Sequence, residues 1–358
     1  MRLARLHIEN LRNIRVLEVA LEPGLNVFVG PNGAGKSSIL EAAFLLSHAQ
    51  SFRAGSADDL VRRGQTRLAV AATVVRAHAE RRVALIRENG GWSARVDQDC
   101  VSQIGDAVRE VAVACFEPGS HELISGSGSG RRRFLDWGVF HVEHGFMAAM
   151  KRYRRILQQR NTALKQGVGD SEMDAWDTEL ARMAEPIDRM RREYFSRFAP
   201  RLAEVLSQFL PELEASIIEW QRGWPEGVDL RELTMQRRTH DRLRGHTSRG
   251  PHRADWSVRF AQAPQREHLS RGQEKLCALA CVLAQARVHA DASGHWPVIA
   301  LDDLASELDL EHQRRALEWL RQGCEQVLVS GVDLADALKQ APAISVFHVE
   351  HGSLRGLL

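Results

Sequence analysis

Apolar and polar positions in the first third of the chain alternate at the spacing typical of β-strands. Residues 1–8 and 16–21 fit half-buried strands, and residues 67–75 and 81–87 fit an antiparallel hairpin. Residues 25–29 are almost wholly apolar, which is the pattern of a strand buried on both faces. The first third is therefore predicted to fold around a sheet.

The middle of the chain loses this strand pattern. Residues 118–130 are rich in glycine and serine, which predicts a loop. Residues 131–210 show helical periodicity with a break at 167–170, and no heptad array long enough for a coiled coil is present.

The last quarter alternates helical and strand-like runs, beginning with a long amphipathic helix at 269–289. The chain has 358 residues, and a single hydrophobic core stops growing at about 250–300 residues. We therefore predict an α/β fold with two lobes. Lobe I is an α/β lobe of residues 1–120 and 285–358, and lobe II, mainly helical, is inserted at 121–284.

Composition narrows the class of protein. The apolar fraction is 44% and the charged fraction 26%, which is ordinary for a soluble globular protein. No apolar stretch approaches the ~18 residues of a membrane span, and the N-terminus lacks the pattern of a secretory signal. The five cysteines contain no CxxC pair. We expect a cytoplasmic protein without a membrane partner.

A glycine-rich segment separates the buried strand at 25–29 from a helix. Its sequence GPNGAGKS matches GxxxxGK[ST] in the strand–loop–helix context that the motif requires. Curled backbone N–H groups and the helix N-terminus favour a bound phosphate, Lys36 adds a charge, and Ser37 offers a hydroxyl to Mg²⁺. The predicted nucleotide contacts are Gly30, Pro31, Asn32, Gly33, Ala34, Gly35, Lys36, Ser37 and Ser38.

Two carboxylates end the apolar strand predicted at residues 298–301. In a chain with a phosphate loop, a strand beside the loop strand can present such carboxylates to the metal. Asp302, together with Ser37, is predicted to bind Mg²⁺, and Asp303 to polarise the attacking water. Lys36, Asp302 and Asp303 are the predicted catalytic residues.

The long helix near residue 270 begins with a second candidate anion site. Ser270 is a good N-cap, and Gln273 completes a capping box. Capping does not require Gly272, which costs about 1 kcal/mol relative to alanine inside a helix but lets a ligand approach the backbone closely. A helix start with serine and glycine is a candidate anion site, and Ser270, Gly272 and Gln273 are its predicted contacts.

Five segments together carry a family resemblance. SRGQ at 270–273 is similar to the signature motif of ABC ATPases, and it occurs with GPNGAGKS, ALDDLASELD, RLHIENLRNI and RRRFLDWG. In this combination the chain resembles, over essentially its whole length, the RecF family of bacterial recombination mediators. The resemblance implies an ABC-type P-loop ATPase head, similar to SMC heads but without a coiled coil, whose lobe II carries the signature motif.

The resemblance further implies a composite ATP site and a place in DNA repair. ATP on the loop of one subunit would be covered by Ser270 and Gly272 of another, with Asp309 at the same interface. Slow hydrolysis would open this ATP-dependent homodimer. Members bind single-stranded or gapped DNA and junctions, promote RecA loading with RecO and RecR, and support replication restart and SOS induction.

Three positions depart from the general ABC pattern. Asp303 stands where transporters usually carry glutamate, Gly331 follows the strand where a switch histidine is usual, and Glu117 lies near the expected place of the Q-loop glutamine. Arg53 is the candidate for sensing the γ-phosphate.

Two alternative functions are weighed against DNA repair. One is the nucleotide-binding subunit of an ABC transporter, which the absent histidine and the long separation of Lys36 from Ser270 disfavour. The other is a DNA-binding protein with a vestigial ATP site, which the complete set Lys36, Ser37, Asp302 and Ser270 disfavours.

Two basic stretches are candidates for contacts to DNA phosphates. Residues 144–169 contain no Asp or Glu, Arg131–Arg133 precede them, and residues 231–253 hold seven arginines. The basic residues of the first stretch are Lys151, Arg152, Arg154, Arg155, Arg160 and Lys165. A solvated helix face that pairs with acidic neighbours is the alternative.

Overall fold

The computed structural model describes residues 1–53, 55–77, 79–265, 268–339 and 343–357. The chain divides into two compact units. Unit 1 comprises Met1–His121, Gln208–Leu210 and Ser270–Leu358, and unit 2 comprises Glu122–Ser207 and Pro211–Leu269. Within the described residues, no helix combines the length and apolar character needed to cross a membrane.

The strands are β1 (Arg2–Leu11), β2 (Ile14–Ala20), β3 (Gly24–Val29), β4 (Arg67–Arg76), β5 (Ala79–Glu88), β6 (Gly91–Val96), β7 (Asp99–Cys100), β8 (Val113–Phe116), β9 (Ser216–Gln221), β10 (Asp255–Phe260), β11 (Val298–Leu301), β12 (Gln326–Gly331), β13 (Ile344–Glu350) and β14 (Ser353–Leu357).

The α-helices are α1 (Lys36–His48), α2 (Ile104–Arg109), α3 (Glu122–Ser125), α4 (Gly128–Val142), α5 (Phe146–Gln166), α6 (Asp170–Phe209), α7 (Leu230–Gln236), α8 (Arg238–Arg244), α9 (Arg271–Ser293), α10 (Leu304–Glu307), α11 (Leu310–Arg321) and α12 (Asp336–Lys339). Short 3₁₀ helices lie at Ala57–Leu60, Pro118–His121, Pro211–Leu213 and Pro251–Arg253.

Unit 1 contains two sheets. One is antiparallel, with the strand order β2-β1-β4-β5-β6-β7. The other has the order β14-β13-β3-β12-β11-β8, and all of its strands are parallel except β14. Helix α1 contacts strands of both sheets, and Ile39, Leu40, Ala42, Leu45 and Leu46 on it are fully buried. This packing places the start of α1 at the carboxyl end of β3.

Unit 2 is built from helices and one small sheet. Strands β9 and β10 pair antiparallel, with Trp256 opposite Trp220. Trp256 is buried beside Phe134 and Phe198 in an aromatic core. The predicted helix break at 167–170 is present, because Gly167 ends α5 in the left-handed conformation and α6 begins at Asp170.

The prediction of lobe boundaries divides a helix that the structure keeps whole. A boundary at 284/285 would cut α9, which runs continuously and contacts β8. Buried side chains lie along most of its length, among them Leu276, Leu279 and Leu283, so the helix packs as one element in unit 1. The start of α9, with Ser270, therefore belongs to unit 1 rather than to lobe II.

The loop predicted at 118–130 is also wrong in part. It contains a 3₁₀ helix, α3 and the first turn of α4. The glycines there serve close packing as well as turns: a Cβ on Gly128 would lie 2.7 Å from the carboxylate of Asp255. The sequence pattern does not predict strands β8, β9 and β10. The fold class, an ABC-type ATPase head with a mainly helical insertion, is confirmed by the comparisons reported below.

Candidate nucleotide-binding site

The glycine loop between β3 and α1 depends on conformations that glycine adopts readily. Gly30, Gly33 and Gly35 have φ of 150°, 79° and 114°. A Cβ on Gly30 would overlap the carbonyl oxygen of Val349 in β13. The amide of Asn13 donates to the carbonyl of Gly33 (2.8 Å). The loop is therefore held in a curled form that side chains at these glycines would disrupt.

Lys36 closes the loop from the inside. Its Nζ donates to the backbone oxygens of Gly30 (2.8 Å) and Pro31 (3.0 Å). Burial lowers the pKa of Lys36, and the carboxylates of Asp303 and Asp302 oppose that shift. The ammonium group thus lies among the loop carbonyls, with the two acidic residues close enough to favour its charged form.

The start of α1 has no side-chain cap, because its N-cap residue is Gly35. The first N–H groups of a helix have no partner within the helix, and the helix dipole adds a partial positive charge there. This end is therefore suited to bind an anion, and Ser37 in the first turn places a hydroxyl at the same end.

A cavity of about 480 Å³ lies over the loop. Its lining brings together most of the predicted loop and acidic residues and adds several that lie outside the predicted motifs. The lining residues are Arg12, Asn13, Asn32, Gly33, Gly35, Lys36, Ser37, Ser38, Phe52, Arg53, Glu117, Pro118, Asp302, Asp303 and Ser330. Of the predicted loop contacts, Gly30, Pro31 and Ala34 contribute backbone to the loop but do not line the cavity.

Ser330 joins the two predicted acidic residues to the loop strand. Its hydroxyl donates to Oδ1 of Asp302 (2.5 Å) and accepts from the backbone N–H of Asp303 (2.9 Å). The sequence predicts Asp302 at the end of a strand beside the loop strand, but β12 lies between β3 and β11. Ser330 at the end of β12 bridges that gap. Asp302 is buried, and Asp303 has a left-handed φ of 54°.

The start of α9 has a different character. Ser270 caps the helix: its Oγ accepts from the N–H of Gln273 (3.3 Å), and its own N–H donates to the side chain of Gln273 (3.0 Å). Ser270 and Gly272 are exposed, and the space around a Cβ on Gly272 is open apart from Ser270 Oγ at 4.0 Å. Among the described residues, Ser270, Gly272 and Gln273 lie outside the cavity lining of their own chain.

Asp309 marks the start of the next helix, α11. It caps this helix by accepting from the N–H of His312 (2.9 Å) and contacts the His312 ring at 2.7 Å. These hydrogen bonds from His312 lower the pKa of Asp309. The carboxylate is 66% exposed, so it remains accessible at the surface of unit 1.

Comparison with known proteins places these features in a family. Residues 2–354 match the family described as "RecF/RecN/SMC N terminal domain". The chain is 46% identical to the "DNA replication and repair protein RecF" of Stenotrophomonas maltophilia (strain R551-3), over 99% of each chain. It is 44% identical to the protein of the same name in Xanthomonas axonopodis pv. citri (strain 306), covering 99% of this chain and 98% of that one.

The chain belongs to the RecF family. It is therefore a member of a family of DNA replication and repair proteins. This membership favours the repair interpretation over the transporter alternative.

Solved structures agree with the RecF fold. The "recombination mediator protein RecF-ATP in RecFOR pathway" superposes with a TM-score of 0.90 at 24% identity, covering 99% of this chain and 97% of that one. The Smc head domain from Pyrococcus furiosus superposes with a TM-score of 0.59 at 16% identity, covering 99% and 95%. At these identities the likeness establishes the fold alone.

Sequence reasoning missed a buried carboxylate, Glu41, in the helix that follows the glycine loop. Arg12 donates from Nε and Nη2 to Glu41 of α1 (3.1 and 2.9 Å), and the hydroxyl of Ser51 also donates to Glu41. The hydrogen bond to Glu41 raises the pKa of Arg12. The motif RLHIENLRNI contains Arg12, but its partner lies in another element, so spacing alone does not reveal the pair. Arg53, the predicted phosphate sensor, is exposed and lines the cavity.

The basic residues of the two predicted stretches fall into two groups: some are bonded to neighbouring residues within unit 2, and others are exposed. Arg160, counted in the first basic stretch, is fully buried and donates to Asp177 (2.7 Å), Asp241 (3.1 Å) and Thr247 (2.8 Å). It is therefore not available to DNA, and its prediction as a phosphate contact is wrong. Other basic residues with structural bonds inside unit 2 are Arg131, Arg132, Arg231, Arg237, Arg238 and Arg242.

The remaining basic residues of α5 are exposed. Lys151, Arg152, Arg154, Arg155 and Lys165 form no ion pair within the described residues, and α5 itself carries no Asp or Glu. We call these five side chains the α5 basic face. The aromatic residues of α5, Phe146 and Tyr153, are buried, so this face offers contacts to phosphates rather than stacking surfaces for bases.

Proposed function

We propose that the cavity over the glycine loop binds ATP with Mg²⁺. The fit rests on three features: a curled loop that a Cβ would disrupt, an uncapped helix start, and Lys36 beside two carboxylates. Ser37 and Asp302 would hold Mg²⁺, since oxygen ligands are those it prefers. Bound Mg²⁺ would neutralise phosphate charge, and Arg53, which lines the cavity, would sense the γ-phosphate.

The protein acts, on this proposal, as an ATP-closed homodimer. The observation that carries the proposal is the exposed start of α9. Gly272 is open to solvent, and the helix start lies outside the cavity of its own chain among the described residues. A second subunit can therefore place its nucleotide against Ser270 and Gly272, and the exposed Asp309 would lie at the same interface.

Hydrolysis would be slow and would act as a switch. Asp303 lines the cavity, and Ser306 Oγ donates to its Oδ1 (2.9 Å), so the carboxylate is oriented by its own turn. It can accept a proton from water placed in the cavity. Its side chain is one methylene shorter than the glutamate of transporters, which favours slow turnover.

We further propose that the protein binds single-stranded or gapped DNA and its junctions in recombinational repair. The α5 basic face would contact phosphates without reading bases. With RecO and RecR it would promote RecA loading, replication restart and the SOS response. Family membership and the exposed charges of the α5 basic face support this part of the proposal.

Size-resolved light scattering with and without ATP, Mg²⁺ and gapped DNA tests the proposal. We expect monomers without nucleotide and DNA-bound dimers with it. The double charge reversal Arg154→Glu/Arg155→Glu should weaken DNA binding and reduce the log–log salt slope by about 0.9 for each phosphate that the variant no longer neutralises. ATP-induced dimers of this variant should persist.

A matched control reverses two arginines of unit 2, one exposed and one half-buried, that already pair with acidic neighbours. Arg182→Glu/Arg201→Glu removes the same charge from α6, where the partners are Glu179 and Glu204. If this control lowers the salt slope as much as the α5 variant, DNA does not bind at the α5 basic face. A wild-type protein that stays monomeric with saturating Mg-ATP and DNA would contradict the dimer.

A further inference from the structure

An ion pair links the start of α9 to the turn that carries Asp303. Lys275 lies five residues after Ser270, about 7.5 Å along the helix axis. Its Nζ is 2.9 Å from Oε2 of Glu307, and the two side chains are 27% and 11% exposed. Lysine is scarce in this chain, which contains 48 basic residues but only five lysines, so a half-buried lysine here is notable against the arginine background.

Glu307 and Asp303 belong to one short turn. The carbonyl oxygen of Asp303 accepts from the N–H groups of Ser306 (2.9 Å) and Glu307 (3.2 Å). Leu304, between them, is buried, and the backbone of Asp303 is tied to Ser330. A displacement of the Glu307 carboxylate would therefore be transmitted through at most one helical turn to Asp303.

The ion pair is costly to break. Glu307 is nearly buried, so loss of Lys275 would leave a carboxylate without its cation in a poorly solvated place. Breaking one partner of such a pair is more destabilising than breaking an exposed pair. The start of α9 and the Asp303 turn are therefore expected to move together.

We propose that Lys275 and Glu307 are positioning residues that couple the two ATP sites of the dimer. This inference rests on the proposed composite site. When Ser270 of one subunit meets the nucleotide of its partner, the Lys275–Glu307 pair sets the position of Asp303 at that subunit's own nucleotide. Nucleotide bound at one site thereby changes the position of the catalytic carboxylate, Asp303, at the other site.

The test uses the full-length protein and three variants: Lys275→Met, Glu307→Gln, and the charge swap Lys275→Glu/Glu307→Lys. ATP affinity and ATP-induced dimers are measured first, followed by the ATP dependence of turnover at protein concentrations that keep the dimer assembled. Both single variants should bind ATP and dimerise as the wild type does. Their turnover should fall between about tenfold and 100-fold, because a small misplacement of a catalytic group has that effect.

The measurement that decides the question is the cooperativity of turnover with ATP concentration, expressed as a Hill coefficient. The wild-type Hill coefficient should exceed one, the single variants should approach one, and the charge swap should recover part of the difference. A purely structural role would lower thermal stability without changing the Hill coefficient. Lys339→Met, which removes an exposed ion pair with Asp336 elsewhere in unit 1, is the matched control. It should change neither the thermal stability nor the Hill coefficient.

The outcomes separate this inference from the function on which it rests. If the wild type neither dimerises nor hydrolyses ATP, the composite site fails. If the wild type does both and the single variants keep its turnover and Hill coefficient, the coupling role is overturned. Loss of dimers in both single variants, with Lys339→Met unaffected, would also overturn it, since the pair would then serve assembly.

Discussion

Two helix starts in unit 1, those of α1 and α9, solve the same physical problem in opposite ways. Both leave N–H groups that need partners. The start of α1 has glycine at its N-cap and no side-chain cap, and it faces the cavity over the glycine loop. The start of α9 satisfies its own N–H groups with Ser270 and Gln273 and is exposed.

The difference indicates that the two helix starts have separate roles in nucleotide binding. The α1 end is built for an anion even in a single chain, because its donors and Lys36 converge within one cavity. The α9 end is stable without a ligand and adds only an open surface at Gly272. Nucleotide should therefore bind first at α1 and recruit α9 of a second chain afterwards.

The largest effect is expected at the α1 end. Lys36→Met should abolish nucleotide binding, because it removes the charge at the centre of the loop together with the Nζ donor to the carbonyls of Gly30 and Pro31. Titration with a fluorescent ATP analogue measures this. Tight ATP binding by the variant would show that the start of α1 is not the primary anion site and does not differ from the start of α9 in this respect. Lys165→Met, on the exposed face of α5, is the control and should bind as the wild type does.

A change at the α9 end should separate binding from assembly. Ser270→Arg should leave ATP binding to the monomer largely intact and prevent ATP-induced dimers, because the long side chain covers Gly272. Light scattering of the ATP-bound protein measures the dimer. Ser270→Asn, which preserves a capping side chain, shows how much of the effect comes from the cap. Normal dimers of Ser270→Arg would reject the composite site.

A smaller effect is expected from the hydroxyl that supports the acidic wall. Ser330→Ala removes the donor to Asp302 and should lower the free energy of unfolding by about 1–3 kcal/mol, the cost of an unpaired buried polar group. Denaturant titration measures it. Ser293→Ala, at the exposed end of α9, removes a hydroxyl that donates to the carbonyls of His289 and His295, and because water can replace it there it should cost only about 0.5 kcal/mol. Equal effects of the two variants would mean that Ser330 is not a special support.

The smallest effect should have opposite signs in the monomer and in the dimer. Gly272→Ala has room for its methyl group and should stabilise the monomer by up to about 1 kcal/mol. It should weaken ATP-dependent dimers severalfold, since a methyl group keeps nucleotide away from the backbone. Gly130→Ala, in the first turn of α4 with equally open space, is the control and should leave dimers unchanged. Unweakened dimers of Gly272→Ala would argue against close approach at this glycine.

The features that could be predicted from sequence are those whose chemistry lies within a few consecutive residues. The strand–loop–helix around Lys36 is one, and the capping box of Ser270 and Gln273 is another; both are present in the structure. In each case the backbone conformation and the side chain that uses it are encoded together.

The features that sequence reasoning missed require distant elements to meet. Ser330 has no local signature, and its role appears only because β12 lies between β3 and β11. Arg160 reads as an exposed charge in a basic run, yet Asp177 and Asp241 meet it from other helices. Periodicity gives the position of a residue on a helix but not the charges that pack against it.

The close approach of Val349 to Gly30, which leaves no room for a Cβ, has a consequence for synthesis. The hairpin of β13 and β14 closes over the glycine loop, and the N–H of Gly352 donates to the carbonyl of Ala34 (2.8 Å). A ribosome makes this hairpin long after the loop. A nascent chain would therefore carry an incomplete phosphate-binding loop until the hairpin is synthesised, and this step belongs to the slow, non-local events of folding.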